Sequence, residues 1–307
     1  MEDQWQTSER LLPHARVAWL ISVSLGSSLG APAAHAGVDA SRAYIVGGST
    51  VAPGDPIGTS TVLIDIGSDF CSGTMVSADL VVTAAHCVMI GESHDTPAKL
   101  DTIRISFPIA AAPHGVVSFV KASGVEVNPL WSQQSSRDSD KADIAAVRMA
   151  GKAPPSYRPA STWSGAVPLK AGTDVVLAGF GSVNSLNAPP SVGVLRKASV
   201  PIQDPNFGQT EVTLDQTQGA GACFGDSGGP ALIESDQKVY FWGVASRGDT
   251  DCAQRAIYTR VSAYWDWLGE AATRLGAAQP LAPLREDWSL YRMPPPHPFR
   301  GLEQLAN

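Results

Sequence analysis

The sequence predicts an all-β protein of many short strands, arranged as a sandwich or a barrel. Three observations carry this. The 307-residue chain holds 29 glycines and 23 prolines, which interrupt regular elements often. Short apolar runs recur between those turn signals, and helical periodicity is confined to one segment near the end. Hydrophobic residues make up 44% and charged residues 17%, enough for a core and too few charges for a disordered chain. The net charge of −7 argues against a nucleic-acid partner, which selects for a basic patch.

In chain order, Arg10 and Arg16 precede a short apolar run at residues 17–29, and Ala34-His35-Ala36 supplies a small-residue cleavage site. Together they predict a secretory signal peptide over residues 1–36, with an uncleaved anchor as the alternative. The run is too short to span a bilayer comfortably, so a mature chain with no stable membrane span is expected, secreted to an extracellular or periplasmic space. An oxidising compartment favours disulfides over zinc for the four cysteines, and no C-x-x-C or H-E-x-x-H occurs. Strands are expected at 62–66 (V-L-I-D-I), 80–83, 103–107, 116–120 and 143–149. The Pro/Ser-rich stretch 152–162 reads as a linker. Further strands are expected at 175–178, 194–200, 231–233, 239–245 and 256–261. Tyr264, Trp267, Leu268, Ala271 and Leu275 have helical spacing within 262–275. The Pro-rich extension 278–307 forms no regular element.

Three stretches carry chemistry. Thr83-Ala84-Ala85-His86-Cys87 sets a histidine after an apolar strand, Asp143-Ile144-Ala145 sets an acid at the head of another, and Gly225-Asp226-Ser227-Gly228-Gly229-Pro230 sets a serine among glycines. Each has a bland reading: a structural histidine, a solvated aspartate, a turn. Together they supply a weak nucleophile, a base whose pKa suits neutral pH, a carboxylate to orient that base, and glycines that let backbone amides approach an oxyanion. Asp138 and Asp140 rival Asp143 but do not head the apolar run. Gly-Asp-Ser-Gly-Gly also fits the nucleophile elbow of α/β-hydrolases. Those enzymes need a histidine after the serine, and His297, in the Pro-rich extension, is the one histidine that follows Ser227.

These motifs, with Ile45-Val46-Gly47-Gly48 and Tyr258-Thr259-Arg260-Val261, closely resemble the chymotrypsin-like, or trypsin-family, serine endopeptidases from Ile45 to about Leu275. The resemblance implies two six-stranded antiparallel β-barrels with the active site in the cleft between them, and a short C-terminal helix. It divides the chain into a propeptide (37–44), a first barrel (about 45–152), a linker (153–162), a second barrel (about 163–277) and the extension. It implies a Ser227 nucleophile, a His86 base, an Asp143 orienting carboxylate, and an oxyanion hole at the amides of Gly225 and Ser227. It pairs Cys71 with Cys87 and Cys223 with Cys252, each bridge worth roughly 3 kcal/mol.

The resemblance also implies a zymogen: a new Ile45 ammonium pairs with Asp226. Tyr44 departs from the Arg or Lys common before that cut. Ala222, Ser246, Arg247, Gly248 and Ala256 are expected around the substrate, with Gly221 at the pocket floor, six residues before Ser227. A floor without charge implies an uncharged apolar residue before the scissile bond, although Asp249 or Asp251 offers an alternative that favours a basic one. Arg247 replaces the usual tryptophan, which alters the second subsite. Neither metal nor cofactor is expected; Glu92, Asp95 and Asp101 match no calcium pattern. Expected partners are protein or peptide substrates, an activating protease and a proteinaceous inhibitor, around a monomer. The competing class is a catalytically silent relative acting as a binding protein.

Overall fold

The structure, a computed structural model, describes residues 45–108, 118–132, 138–164, 168–181, 194–235 and 238–280. The expected signal peptide and propeptide, the extension beyond residue 280, and residues 116–117 of one expected strand lie outside the described residues. The strands are β1 (Ser49–Thr50), β2 (Thr61–Ile66), β3 (Asp69–Met75), β4 (Leu80–Thr83), β5 (Met89–Ile90), β6 (Thr96–Pro97), β7 (Ile103–Phe107) and β8 (Ser118–Val127). They continue with β9 (Ala145–Met149), β10 (Asp174–Gly179), β11 (Arg196–Asp204), β12 (Glu211–Asp215), β13 (Pro230–Ser235), β14 (Lys238–Gly248) and β15 (Arg255–Arg260). A helical turn, α1 (Ala85–Val88), follows β4, and the helix α2 (Trp265–Leu275) follows β15.

Strands β2, β3, β4, β9, β8 and β7 close the first antiparallel barrel. Strands β11, β10, β13, β14, β15 and β12 form the second, closed by the β11–β12 pairing. Closure pairs the two edge strands of each barrel with one another, so neither barrel presents its edge as a template for another chain; β1 adds to β11 outside that closure, and β5 and β6 form a separate two-stranded sheet. The first barrel buries Ile64, Leu80, Ile103, Ile105, Phe107 and Val147; the second buries Val175, Leu177, Val200, Val212, Trp242 and Tyr258. Among the described residues, no helix is long and apolar enough to cross a membrane.

Two barrel strands, β3 and β12, escaped the sequence reading, as did the two-residue strands β1, β5 and β6. β3 (D-F-C-S-G-T-M) lacks an apolar run because its interior position is Gly73. A Cβ there would lie 2.8 Å from both Ile64 Cδ1 and Val81 Cγ1, so neighbours fill the space a side chain would take. β12 (E-V-T-L-D) reads as half-polar, yet Glu211 and Thr213 are buried along with Val212 and Leu214. Other strands run longer than expected: β8 extends to Val127 and β11 to Asp204.

The linker is strapped down. Tyr157 stacks edge-on against Phe107, with centroids 4.9 Å apart, and its hydroxyl donates to the Pro108 carbonyl at 2.8 Å. Two segments cross the expected division between barrels. Ser49–Thr50 pairs with β11 of the second barrel. The expected helix 262–275 resolves into a 3-10 turn, Val261–Tyr264, and then α2, which packs against β8 and β9 of the first barrel and buries Leu268, Ala271 and Ala272 in the apolar cluster around it. Gly276 ends α2 in the left-handed region at φ 62°, and Arg148 Nη1 from β9 caps the Leu275 carbonyl at 2.7 Å.

Substituting Gly73→Val tests the tight interior. Strand propensity alone favours valine, whereas overpacking against Ile64 and Val81 destabilises by about 1–3 kcal/mol. Urea unfolding should show a lower midpoint; an unchanged or raised midpoint contradicts the packing.

Candidate active site

Register brings the histidine and the aspartate together. β4 pairs antiparallel with β9 at Thr83↔Ala145, so the chain leaving β4 runs beside the chain entering β9. His86 in α1 and Asp143 just before β9 therefore face each other. His86 Nδ1 lies 2.8 Å from Asp143 Oδ2, and the His86 amide donates to Oδ1 at 3.0 Å. Ser246 on β14 donates its hydroxyl to Asp143 Oδ2 at 2.6 Å. This arrangement leaves His86 Nε2 for the cleft. Neither rival acid lines the cleft: the Asp140 carboxylate accepts from the Gln209 and Thr210 amides, and Asp138 is tied to Arg247 through its backbone carbonyl.

Electrostatics reinforce the pairing. Burial opposes the charged imidazole most strongly, but the charge and hydrogen bond of Asp143 outweigh it and hold the His86 pKa above 6.5. Burial likewise works against the Asp143 carboxylate. The His86 charge and the bonds from His86 and Ser246 prevail, and its pKa lies below the ordinary value.

Ser227 precedes β13 by a tight turn. The Gly228 amide donates to the Ala245 carbonyl at 2.8 Å, and the Ser72 amide from the first barrel donates to the Ser227 carbonyl at 2.8 Å. The serine loop is thus held from both barrels. A Cβ on Gly228 would sit 2.0 Å from Thr83 Oγ1, so only glycine permits this approach. Gly225 takes φ 92°, with Phe70 packed where its Cβ would be. Among the described residues, the amides of Gly225 and Ser227 carry no hydrogen bond. Ser227 Oγ likewise has no partner there, while His86 Nε2 lies 3.9 Å from Cys87 Sγ.

Ser227, His86 and Asp143 line one cleft of about 680 Å³ with Ala222, Ser246, Arg247, Gly248 and Ala256. Gly221 does not line it. Its amide donates to the Val46 carbonyl, and a Cβ there would lie 2.2 Å from Gln216 Cδ. The buried Gln216 amide accepts from Ala222 N at 2.7 Å and donates to the Ala222 and Cys252 carbonyls, so it braces the wall from behind. Asp249 reaches the cleft but accepts from the Arg255 amide at 2.8 Å; Asp251 does not line it. His94, Trp131 and Phe70 also line the cleft and were not singled out from sequence. His94 stands edge-on to His86, 5.8 Å between centroids. Neither Glu211 nor Gln216 was singled out from sequence: Glu211 opens β12, a strand the apolar pattern does not mark, and Gln216 follows directly after it.

Ile45 is fully buried in the second core, and the Val46 carbonyl ties the segment to Gly221. The buried Asp226 carboxylate accepts from the Gly181 and Cys223 amides at 2.8 and 2.9 Å. Burial pushes its pKa up to about 7, against the pull of those two bonds. Cys71–Cys87 and Cys223–Cys252 are bonded, bracing the histidine and serine segments. Cys71, His86 and Cys87 place ligand atoms within 4.8 Å of one another, but the disulfide removes both thiolates a metal would need. Glu92, Asp95 and Asp101 form no such cluster among the described residues.

Two closed antiparallel barrels, with a histidine–aspartate pair and a glycine-flanked serine in one cleft, define the architecture of chymotrypsin-like proteins. The model of the Trypsin family matches residues 45–268, and the chain belongs to that family. It is 26% identical over 253 residues to the hepatocyte growth factor activator serine protease of Homo sapiens, covering 75% of this chain and 36% of the relative. It is 29% identical over 224 residues to the serine protease Hayan of Drosophila melanogaster, covering 64% and 34%. It is 28% identical over 275 residues to Trypsin Blo t 3 of Blomia tropicalis, covering 81% and 94%. The chain thus spans about a third of the length of the first two relatives and nearly all of the third.

The His86–Asp143 coupling fixes the direction of a pH experiment. In Asp143→Asn both influences that raise the imidazole pKa vanish, and burial with the Arg247 charge remains to lower it. NMR titration of the His86 ring should give a midpoint above 6.5 in the wild type and below it in the variant. Coincident midpoints contradict the coupling.

Proposed function

We propose that this chain is a secreted serine endopeptidase, made as a zymogen, that hydrolyses peptide bonds through an acyl-enzyme on Ser227. The observation that carries this reading is the buried Asp143 bonded to His86 Nδ1, which leaves Nε2 toward the cleft that Ser227 lines. In the proposed sequence Ser227 Oγ bonds to the scissile carbonyl carbon while its proton passes to His86 Nε2. The unpaired amides of Gly225 and Ser227 receive the oxyanion; one such donor is typically worth about 3 kcal/mol. The C–N bond then breaks, and His86 returns the proton to the leaving amine. Water attacks the acyl carbon, giving a proton to His86; the bond to Ser227 Oγ then breaks, and His86 returns that proton to Oγ as the acid product leaves. Asp143 holds the imidazole tautomer and stabilises the imidazolium.

Ala222, Gly248 and Ala256 give the proposed specificity pocket a neutral, shallow wall, and Gln216 supports it from behind. Asp249 is engaged by the Arg255 amide, which weakens the case for a basic preference. A small or medium apolar residue before the scissile bond fits best. The proposed partners are protein or peptide substrates, an activating protease and a proteinaceous inhibitor, with the enzyme acting as a monomer without metal or cofactor.

The decisive experiment compares wild type and Ser227→Ala on Ala-, Leu-, Phe- and Arg-ended peptide substrates. Wild type should turn over the apolar set, while the variant loses at least about 10³-fold. Equal turnover, or none by either, would favour the catalytically silent binding protein. Dominance by Arg would reject the apolar preference alone.

Activation gives a second test, in which cleavage after Tyr44 frees the Ile45 amine to pair with Asp226. Until then the Asp226 carboxyl, raised from 3.8 to about 7, costs the uncleaved chain stability as pH climbs from the first value towards the second. Asp226→Asn should therefore stabilise the uncleaved chain at pH 7 and make no difference below the lower value. In the cleaved form the same change should abolish activity. Thermal melts of both forms across pH check this; destabilisation of the uncleaved variant at pH 7 contradicts it.

A further inference from the structure

Glu211 opens β12 and is fully buried, yet it does not line the cleft. Its carboxylate receives four donors. Arg247 Nη1 reaches Oε1 at 2.8 Å and Nη2 reaches Oε2 at 2.7 Å. The amides of Asp140 and Lys141, from the first barrel's side, reach the same two oxygens at 2.9 and 3.1 Å. Arg247 extends the network in two directions. Nη1 lies 3.2 Å from Ser246 Oγ, the hydroxyl that donates to Asp143, and Nη2 donates to the Asp138 carbonyl.

The segment so gripped needs holding. Asp140 and Ala142 take φ 61° and 53°, a left-handed conformation that side chains disfavour, immediately before Asp143. The second barrel grips this segment twice, through the Glu211 carboxylate and through the Gln209 and Thr210 amides that donate to Asp140. A buried ion pair is weak support for stability, since apolar residues of similar volume serve as well or better. What apolar residues cannot do is accept two backbone amides and a forked guanidinium at fixed angles.

We propose that Glu211 and Arg247 form a positioning pair that fixes the 138–142 loop, and through it and Ser246 the orientation of Asp143 behind His86. The proposal rests on the catalytic reading of His86, Asp143 and Ser227. Its reach is kinetic: Glu211 does not line the cleft, and Arg247, which does, keeps its bond to the Asp138 carbonyl in Glu211→Gln, so the loss should fall on the placement of the Asp143 carboxylate more than on substrate contacts.

The test uses the activated chain in four forms: wild type, Ser227→Ala, Glu211→Gln, and the double variant Glu211→Leu/Arg247→Met, which strands no buried charge. Two readouts are taken: kcat and KM on the wild type's best peptide substrate, and the deshielded proton resonance of the His86 Nδ1–Asp143 bond. For both Glu211 variants kcat should fall by about 10²-fold, as expected for a small misplacement. KM for Glu211→Gln should stay within about twofold, the signature of a loss confined to the transition state. The resonance should shift or broaden in both. Folded variants with unchanged kcat, or a Glu211→Gln loss confined to KM, overturn the proposal. So does failure of both to fold, because the pair then holds the fold rather than the geometry. If the wild type turns over no more than Ser227→Ala, the catalytic reading fails separately. The resonance then decides alone, and an unchanged signal in both Glu211 variants overturns the pair's role.

Discussion

Asp143 is almost wholly buried, and a buried carboxylate stays charged only where donors surround it. Much of the two-barrel arrangement can be understood from that constraint. One pair of donors comes from His86, in the turn after β4; the third comes from Ser246, on a strand of the other barrel. Neither barrel alone solvates the charge. Docking the barrels therefore completes the aspartate's environment, and the aspartate in turn rewards the docking. The contacts of Ser72 with the Ser227 and Gly225 carbonyls lie along the same seam.

Asp226 is the instructive contrast. It is as deeply buried as Asp143, yet its pKa moves the opposite way. Two backbone amides are too little to offset desolvation, whereas an imidazole that can carry charge, an amide and a hydroxyl are enough. Chemical identity does not decide what either residue does; the number and charge of its donors do. In the first case the carboxylate is settled and directs a base. In the second it is unsettled, and a nearby cation would change its state.

Much of this was legible in the sequence because the motifs that carry chemistry are contiguous. Thr83–Cys87 and Gly225–Pro230 each fold as one turn, so reading them in a row reads them in space. Strands with apolar runs, such as Leu80–Thr83 and Ile103–Phe107, were equally plain. β3 was hidden because its interior position holds a glycine, and β12 because its buried face is polar. Gly221 was counted correctly from Ser227 but turns its vacant side to Gln216, a relation no local count reveals. Glu211 and Arg247 lie apart in sequence and meet only once β12, β15 and β14 are assembled.

The return of α2 to the first barrel bears on how the chain acquires its fold during synthesis. Leu268, Ala271 and Ala272 pack with α2 against β8 and β9 of the barrel that leaves the ribosome first, yet they are translated after the whole of the second. The amino-terminal half waits, with the apolar face of β8 and β9 uncovered, until the carboxy-terminal helix arrives. Such long-range closure slows folding and lengthens the interval in which aggregation competes. Truncation before Trp265 would leave the gap permanently open. The last helix thus acts as a completeness check: a chain interrupted in its second barrel leaves an apolar face of its first uncovered.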